Sequence, residues 1–382
     1  MTYQEQLNKL RNDIDHLDID LINLLAERNR KTQKVGELKV EHNLETRDLD
    51  RERVMIENKV DLGKTLGLNS HLVLTIFEAI IAQSVNDQYQ MKLHNAQNAK
   101  LKVGYLGDQG SYSHQALLKY IEKNCLDSSV FGYRSFKQIV NAVQTAEMDI
   151  GILPIENTTT GAILDVYDAL QGSGVYLIGE ETLAIDHCLV GKMTNEKDIT
   201  KVYGHPQALS QCNELLSTNQ HWEIAYCSSS AEAIEQVIKS QEHSVVAIAN
   251  KFAATLYKLN VIVSNTANNR ENYTRFIIIS KEQPLIPMEI PCKVSIVFST
   301  GQQAGALASV LNQFKQNDVV LTKLQSRPVP EMPWEEMFYA DLEGHIDDLA
   351  VKKSLSSAEP YCKYLKVLGC YPRANLPKAI AG

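Results

Sequence analysis

Leu7, Leu10, Ile14, Leu17, Leu21 and Leu24 recur at alternating spacings of three and four, the apolar stripe of an amphipathic helix. The same register continues through Arg28 and Lys31 to Val35 and Leu38, which predicts one helix from about residue 4 to residue 41. At ~1.5 Å per residue this is a rod of roughly 57 Å, whereas a compact domain of ~95 residues has a radius of gyration near ~13 Å. The overhanging stripe predicts a second copy of itself as partner, and hence an intertwined helical dimer. Asp48 or Asp50 is placed to cap a second helix that ends near Gly63 to Gly67. Asn69 or Ser70 is placed to cap a third, carrying Leu72, Ile76, Phe77, Ile80 and Ile81. Its apolar stripe turns polar at Ser84 and Gln88, which share a face at i and i+4.

Beyond the helical region (1–92) a polar, Asn-, Gln- and Ala-rich stretch (93–101) reads as a linker. The pattern then changes. Short apolar runs such as Ile150–Leu153, Val175–Ile178, Val245–Ile248 and Phe276–Ile279 alternate with helical segments. Runs of this kind fit strands buried beneath helices, so 102–282 is expected to be an α/β domain. Pro284, Pro287 and Pro291 mark a second linker over 283–292. In 293–382 the order of predicted elements is βαββαβ, an α+β ferredoxin-like unit. Its strands are expected near 293–299, 320–327, 336–342 and 364–370, and its helices near 305–316 and 346–358.

At 382 residues and 44% hydrophobic, the chain has material for several cores. A net charge of -8 gives no global basic signal for nucleic acid. Any cation within an apolar stripe is therefore informative. The seven cysteines form no C-x-x-C pair and their number is odd, so free thiols are expected and neither a disulfide framework nor a metal site. Neither a leader segment nor a membrane span is read from the pattern, and the expected compartment is the cytoplasm.

The first cluster of chemistry lies in the helical region. Arg28 stands where the stripe otherwise carries leucine, and Lys39 lies three turns on, on nearly the same face. A buried unpaired charge is costly, so these groups call for anions. The bland alternative is an Arg28 that snorkels or pairs with Glu27 or Asp18. The pattern resembles the all-helical chorismate mutase family over residues 4 to 90. The resemblance implies site residues Arg11, Arg28, Lys39, Asp48, Arg51, Glu52, Ser84 and Gln88, with Arg11 supplied by the partner subunit. Arg11 and Arg28 would bind the substrate carboxylates, Ser84 would support one of them, Lys39 and Gln88 would address the ether oxygen, and Asp48 and Glu52 the hydroxyl side. A Claisen rearrangement needs no nucleophile, metal or proton transfer. It needs a flexible dianion held in a reactive geometry, with donors aimed at the breaking ether bond. Forked, permanently charged guanidinium groups suit such carboxylates.

The α/β region carries small polar clusters beside its strand ends: Gly110–His114, Pro154–Thr158, Asp186–His187, His205–Gln207, Ser228–Ser230 and Thr274–Phe276. Each alone is ordinary; Asp186–His187 by itself reads as a surface pair. Gly104, Gly107 and Gly110 are spaced GxxGxxG, which is not a dinucleotide fingerprint, and no G-x-S-x-G elbow accompanies His187. Together the clusters resemble the prephenate dehydratase family over residues 102 to 281, with Thr274-Arg275-Phe276 as its signature. The resemblance implies two α/β lobes like a periplasmic binding protein and a site in the cleft. Thr274 would be the key hydroxyl, and Glu156, Asn157 and Gln211 would place the substrate. Ser111, Thr158, Arg275 and Phe276 are further candidates, with Arg275 open between a carboxylate partner and a structural ion pair. Asp108-Gln109 departs from the family's Pro-Lys-like pair.

The last region resembles the ACT domain fused to prephenate dehydratases. Gly305-Ala306-Leu307 opens the Gly-Ala-Leu-Val-like segment, which here ends in Ala308, and Gln325-Ser326-Arg327-Pro328 matches its Glu-Ser-Arg-Pro. The resemblance implies feedback inhibition by L-phenylalanine. The whole is expected to turn chorismate into prephenate and prephenate into phenylpyruvate, without cofactor, as a homodimer or higher homo-oligomer with no nucleic-acid or membrane partner. Fusion to a prephenate dehydrogenase would need the missing nicotinamide fingerprint. A non-catalytic amino-acid-binding regulator is the rival from another class; it would not need Arg28, Lys39 and Gln88 on apolar faces.

Overall fold

The computed structural model describes residues 3–42, 49–95, 100–192, 195–269, 271–288, 290–329, 332 and 334–374. The chain divides into two compact units, residues 1–99 and 100–382.

The first unit is three helices: α1 (Tyr3–Glu41), α2 (Leu49–Thr65) and α3 (Ser70–Asn95). A Schellman closure ends α2: Gly67 sits at φ +77°, Leu68 N–H donates to the Gly63 carbonyl at 2.9 Å, and Gly67 N–H to Lys64 at 3.1 Å. Asn69 Oδ1 then accepts the His71 N–H at 2.8 Å and starts α3. Helix α3 runs to Asn95, three residues into the stretch expected to be linker. Met91, Lys92, Leu93 and His94 include neither glycine nor proline, and polarity alone does not stop a helix. Along α1, Leu10, Leu17 and Leu24 are 61%, 66% and 65% exposed in the single chain. The stripe that predicted the helix is thus largely bare over its first half.

The second unit starts with an α/β lobe: β1 (Leu101–Leu106), α4 (Tyr112–Lys123), β2 (Ser128–Tyr133), α5 (Phe136–Gln144), β3 (Ile150–Asn157), β4 (Gly161–Ala162), α6 (Leu164–Leu170) and β5 (Tyr176–Ala184). The chain then builds a second lobe from β6 (Cys188–Gly191), β7 (Lys201–Gly204), α7 (Pro206–Gln211), α8 (Asn213–Thr218), β8 (Glu223–Tyr226), α9 (Ser230–Lys239), β9 (Val245–Ala249), α10 (Lys251–Leu256) and β10 (Asn260–Val263). Strand β11 (Tyr273–Ser280) returns to the first sheet and inserts, antiparallel to both neighbours, between β3 and β5. The sheets run β2-β1-β3-β11-β5 and β10-β6-β9-β7-β8. Two chain crossings join the lobes, and Asn157, Thr274, His187 and Gln207 from the polar clusters singled out in the sequence lie between them.

The unit closes with β12 (Cys292–Thr300), α11 (Ala306–Gln316), β13 (Leu321–Pro328), β14 (Glu336–Glu343), α12 (Leu349–Ala358) and β15 (Cys362–Pro372). These form the expected βαββαβ order, with a four-stranded antiparallel sheet in the order β13-β14-β12-β15. This sheet packs on the first lobe rather than standing off on a linker. Val297, Tyr339, Leu368 and Tyr371 share one core with Leu153, Val166, Leu177 and Ile277. A Cβ added to Gly369 would lie 2.0 Å from the Leu177 carbonyl oxygen, so only glycine allows β15 to come this close to β5. Among the described residues, no helix is long and apolar enough to cross a membrane.

Candidate active sites

In the helical unit, a cavity of about 500 Å³ is lined by Arg28, Lys39, Arg51, Glu52 and Ser84 together with Leu24, Val35, Met55 and Ile81. Its volume is that of a small-molecule site. Arg28 Nη1 donates to Ser84 Oγ at 2.9 Å, and Ser84 Oγ in turn donates to the Ile80 carbonyl at 2.8 Å. Arg28 therefore points into the cavity, while Glu27 pairs with Lys31. Arg11 is on the same helix but about 25 Å away at ~1.5 Å per residue, outside this cavity. Gln88 belongs to α3, one turn beyond Ser84, and its side chain is outside those described. Asp48 lies outside the described residues.

In the α/β unit, Thr274 and Asn157 are register partners at the end of β11 and β3. Asn157 Oδ1 accepts the backbone N–H groups of Thr159 and Thr160 at 2.9 and 3.0 Å, which fixes the orientation of its amide. Its Nδ2 must then donate, and it does so to Thr274 Oγ1 at 3.0 Å and to Asn272 Oδ1 at 2.6 Å. The order propagates. Asn272 Nδ2 donates to Gln211 Oε1 at 3.2 Å, and His187 Nε2 lies 2.7 Å from the same oxygen. A carbonyl oxygen only accepts, so Nε2 carries the proton. Nδ1 is left to accept from Tyr112 Oη at 2.7 Å. Burial lowers the His187 pKa against smaller opposing effects from Gln211 and Asp186, which keeps the ring neutral. The outcome for Thr274 is specific. Its oxygen is already an acceptor, and its own proton has no acceptor among the described residues.

This chain of side chains joins the lobes. Thr274, Asn157 and Asn272 belong to the first lobe or its crossing strand, Gln211 ends α7 of the second, and Tyr112 opens α4 of the first. Gln207 Nε2 adds a second bridge, to Thr160 Oγ1 at 3.0 Å. Asn272 and the partnership of His187 with Tyr112 were not foreseen. His187 is 3% exposed, so the expectation of a surface pair is corrected. The signal for Asn272 was its position two residues before Thr274, in the segment that leads into β11.

Other predicted residues go elsewhere. Ser111 Oγ caps α4 by accepting the His114 N–H at 3.2 Å, and it donates to the Leu106 carbonyl at 3.2 Å. Thr158 Oγ1 closes the turn against Glu271 and Tyr273. Phe276 is 1% exposed and packs in the first lobe's core with Val103, Leu117 and Ile278. Glu156 and Arg275 pair with each other at 3.1 Å on the opposite face of the sheet from Asn157 and Thr274, so Glu156 does not join Asn157 in the cleft. Adjacent strand residues face opposite ways, so only one of Glu156 and Asn157 can share the face of Thr274, and a bulge decides which. Strict alternation from Ile152 would leave Glu156 on the face of Thr274, but the register shifts between Arg275 and Phe276, and Ile155 is the extra residue. Beyond the bulge the two faces of β3 exchange. For Arg275, the structural ion pair is the alternative that the geometry selects.

In the C-terminal domain, Gly305 adopts φ +78° to open α11, with Ala306 and Leu307 in its first turn. Gln325, Ser326, Arg327 and Pro328 form the end of β13. Arg327 already forks onto Asp168 of α6, at 2.9 and 2.5 Å. Cys292, His345 and Cys370 converge, all buried, a cluster that spacing along the chain did not reveal. Both His345 nitrogens are occupied there: Nδ1 accepts the Asp347 N–H at 3.0 Å, and Nε2 contacts the Ile286 carbonyl at 3.1 Å. The neighbouring Cys370, together with burial, pushes the Cys292 thiol up.

The chain matches the family of type II chorismate mutases over residues 10–89 and the prephenate dehydratase family over residues 103–284. It is 38% identical over 380 residues to the bifunctional chorismate mutase/prephenate dehydratase of Escherichia coli K12, covering 98% of each chain. Among solved structures, it is similar to the prephenate dehydratase of Arthrobacter aurescens in complex with L-phenylalanine. The identity is 25% and the TM-score 0.65, over 74% of this chain and 93% of that one. A protein described as GqqA, a novel type of quorum-quenching acylase, is similar to the same degree, with 25% identity and a TM-score of 0.65 over 72% of this chain and 98% of that one.

Proposed function

Because the chain belongs to the bifunctional chorismate mutase/prephenate dehydratase family, we propose that it converts chorismate to prephenate in the helical cavity and prephenate to phenylpyruvate beside Thr274. The observation that carries the second activity is the fixed polarity of the Thr274 hydroxyl, an acceptor from Asn157 with its own proton to give.

At the first site, Arg28 and the partner copy's equivalent of Arg11 clamp the two carboxylates, and Lys39 with Gln88 stabilises the ether oxygen as its bond to carbon breaks. Asp48, Arg51 and Glu52 complete the ring at the start of α2, and Ser84 steadies Arg28. The bare stripe of α1 and the distance of Arg11 from the cavity support a homodimer in which each chain finishes the other's site.

At the second site, the bond from the ring to its carboxylate breaks and its electron pair enters the ring. The ring hydroxyl leaves with its bonding pair and takes up a proton, so that CO2 and water depart from an aromatic product. Aromatisation supplies the driving force, and the protein needs only to strengthen the leaving group. Thr274 does this by donating a hydrogen bond to the departing hydroxyl. Threonine is not an acid at neutral pH, so the proton itself comes from solvent. Asn157 and Gln211 keep the hydroxyl aimed, and Thr158 holds the adjoining turn. The C-terminal domain serves as an ACT domain, with Gly305 to Leu307 and Gln325 to Pro328 receiving L-phenylalanine.

Incubation of the pure protein with chorismate alone, without a nicotinamide cofactor, tests the proposal. Phenylpyruvate is expected. Accumulated prephenate would leave the mutase and remove the dehydratase; unchanged chorismate would favour a non-catalytic amino-acid-binding protein.

A further inference from the structure

The two register pairs at the end of β3 and β11 look in opposite directions. Asn157 and Thr274 face the cleft, and the next residue pair, Glu156 and Arg275, faces the C-terminal domain. Arg275 uses every nitrogen there. Nε meets Glu180 at 2.7 Å, Nη1 meets Asp341 at 2.6 Å and Glu156 at 3.1 Å, and Nη2 donates to Tyr371 Oη at 2.9 Å. Lys293 pairs with Glu180 at 2.8 Å, and Lys323 pairs with Glu156.

Three cations thus balance three carboxylates across the boundary between the domains. Asp341, Lys293 and Lys323 come from the C-terminal sheet; Arg275, Glu156 and Glu180 come from the first lobe. Burial pushes the Glu156 carboxyl up, but Lys323 and Arg275 outweigh it and hold it below its ordinary value. Glu180 is held down in the same way by Arg275 and Lys293. Arg275, Glu180, Asp341 and Lys293 are the buried part of this set, with Glu156 and Lys323 at its partly exposed edge. A balanced set of buried charges contributes little net stability against an apolar replacement, but it is intolerant of losing one member. Such a set fixes geometry, and here it fixes the backbone that carries Thr274 and Asn157.

Strand β13 supplies the outermost link. Lys323, Gln325 and Arg327 alternate along it and share one face. The two cations hold the first lobe through Glu156 and Asp168, and Gln325 lies between them. A ligand engaging Gln325 therefore acts on the strand whose two neighbouring side chains grip the catalytic lobe.

We propose that Lys323, Glu156 and Arg275 form a positioning link for Thr274, through which the state of β13 sets dehydratase turnover. This rests on Thr274 being the hydroxyl that assists departure. Arg275 and Glu156 act on it through the backbone and touch no substrate, whereas Lys323 is the member whose loss leaves the fold most intact, since it is the edge contact.

The test is Lys323→Gln, assayed with prephenate with and without L-phenylalanine, with Lys323→Arg as rescue and the mutase activity of the same preparation as a control for folding. The expected result is a fall of about 5-fold in kcat with little change in KM. The phenylalanine concentration for half-inhibition should shift by about 5-fold or more, and Lys323→Arg should restore both. Parental kcat and sensitivity in Lys323→Gln would overturn the link, as would a loss confined to KM or one accompanied by a matching fall in mutase activity. If the parent protein binds no phenylalanine, the effector assignment fails, and the kcat of Lys323→Gln still decides the positioning role. A parent protein inert toward prephenate overturns the Thr274 assignment and this inference with it, before any variant is made.

Discussion

The helical cavity and the interlobe cleft, proposed to receive small dianions, are built from opposite materials. The cavity uses cationic side chains displayed along helix faces: Arg28, Lys39 and Arg51 beside Ser84. The cleft uses neutral amides, hydroxyls and an uncharged imidazole, ordered into a chain of fixed polarity from Asn157 to Tyr112. A rearrangement with charge moving toward an ether oxygen is helped by cations already in place. Loss of a hydroxyl from a ring needs one donor, correctly aimed. On the proposed reading, fixed charge serves where the transition state gathers charge on one atom, and a fixed hydrogen-bond orientation serves where a single leaving group needs a donor.

The largest effect that would sharpen this contrast is expected from Lys39→Ala. Removing a donor aimed at the breaking ether bond should lower mutase kcat by about 10²- to 10³-fold, with a smaller change in KM. Dehydratase turnover of added prephenate should be unaffected. Equal losses in kcat and binding would mean that Lys39 only grips.

A smaller effect is expected from pH, and only in the cleft. Burial depresses the His187 pKa, so the neutral ring and its contribution to stability are fully present above the ordinary histidine value of about 6.5. They are lost as pH falls through the lower, folded value. Protonation turns Nδ1 from acceptor to donor and reverses its bond with Tyr112. Dehydratase kcat should therefore show an acid limb below pH ~6.5 that His187→Gln lacks and the mutase does not share. An identical limb in both activities would break the distinction.

The two sites also differed in how far they could be read from the chain. The α1 stripe and its interruption by Arg28 are periodic features, visible without any tertiary contact, and Arg28, Lys39, Arg51, Glu52 and Ser84 do line one cavity. The cleft depends on segments far apart in the chain, such as Asn157 and Thr274, and on two chain crossings between lobes. No local period announces that. The placement of Glu156 on the face opposite Thr274 was not legible, since a β-bulge inverts the faces of a strand and leaves no mark in composition. Ser111 shows another limit. A Gly-Ser-Tyr turn beside a strand end looks the same whether its hydroxyl serves a ligand or a helix terminus, and here it serves the terminus.

In the proposed function, Thr274 acts as a donor for the dehydratase step alone. The most direct measurement is a product time course for Thr274→Val supplied with chorismate. Valine keeps the shape and removes the hydroxyl. Chorismate should disappear at the parental rate and prephenate should accumulate without phenylpyruvate beyond its uncatalysed formation. Enzymatic phenylpyruvate formation at the parental rate would contradict the assignment.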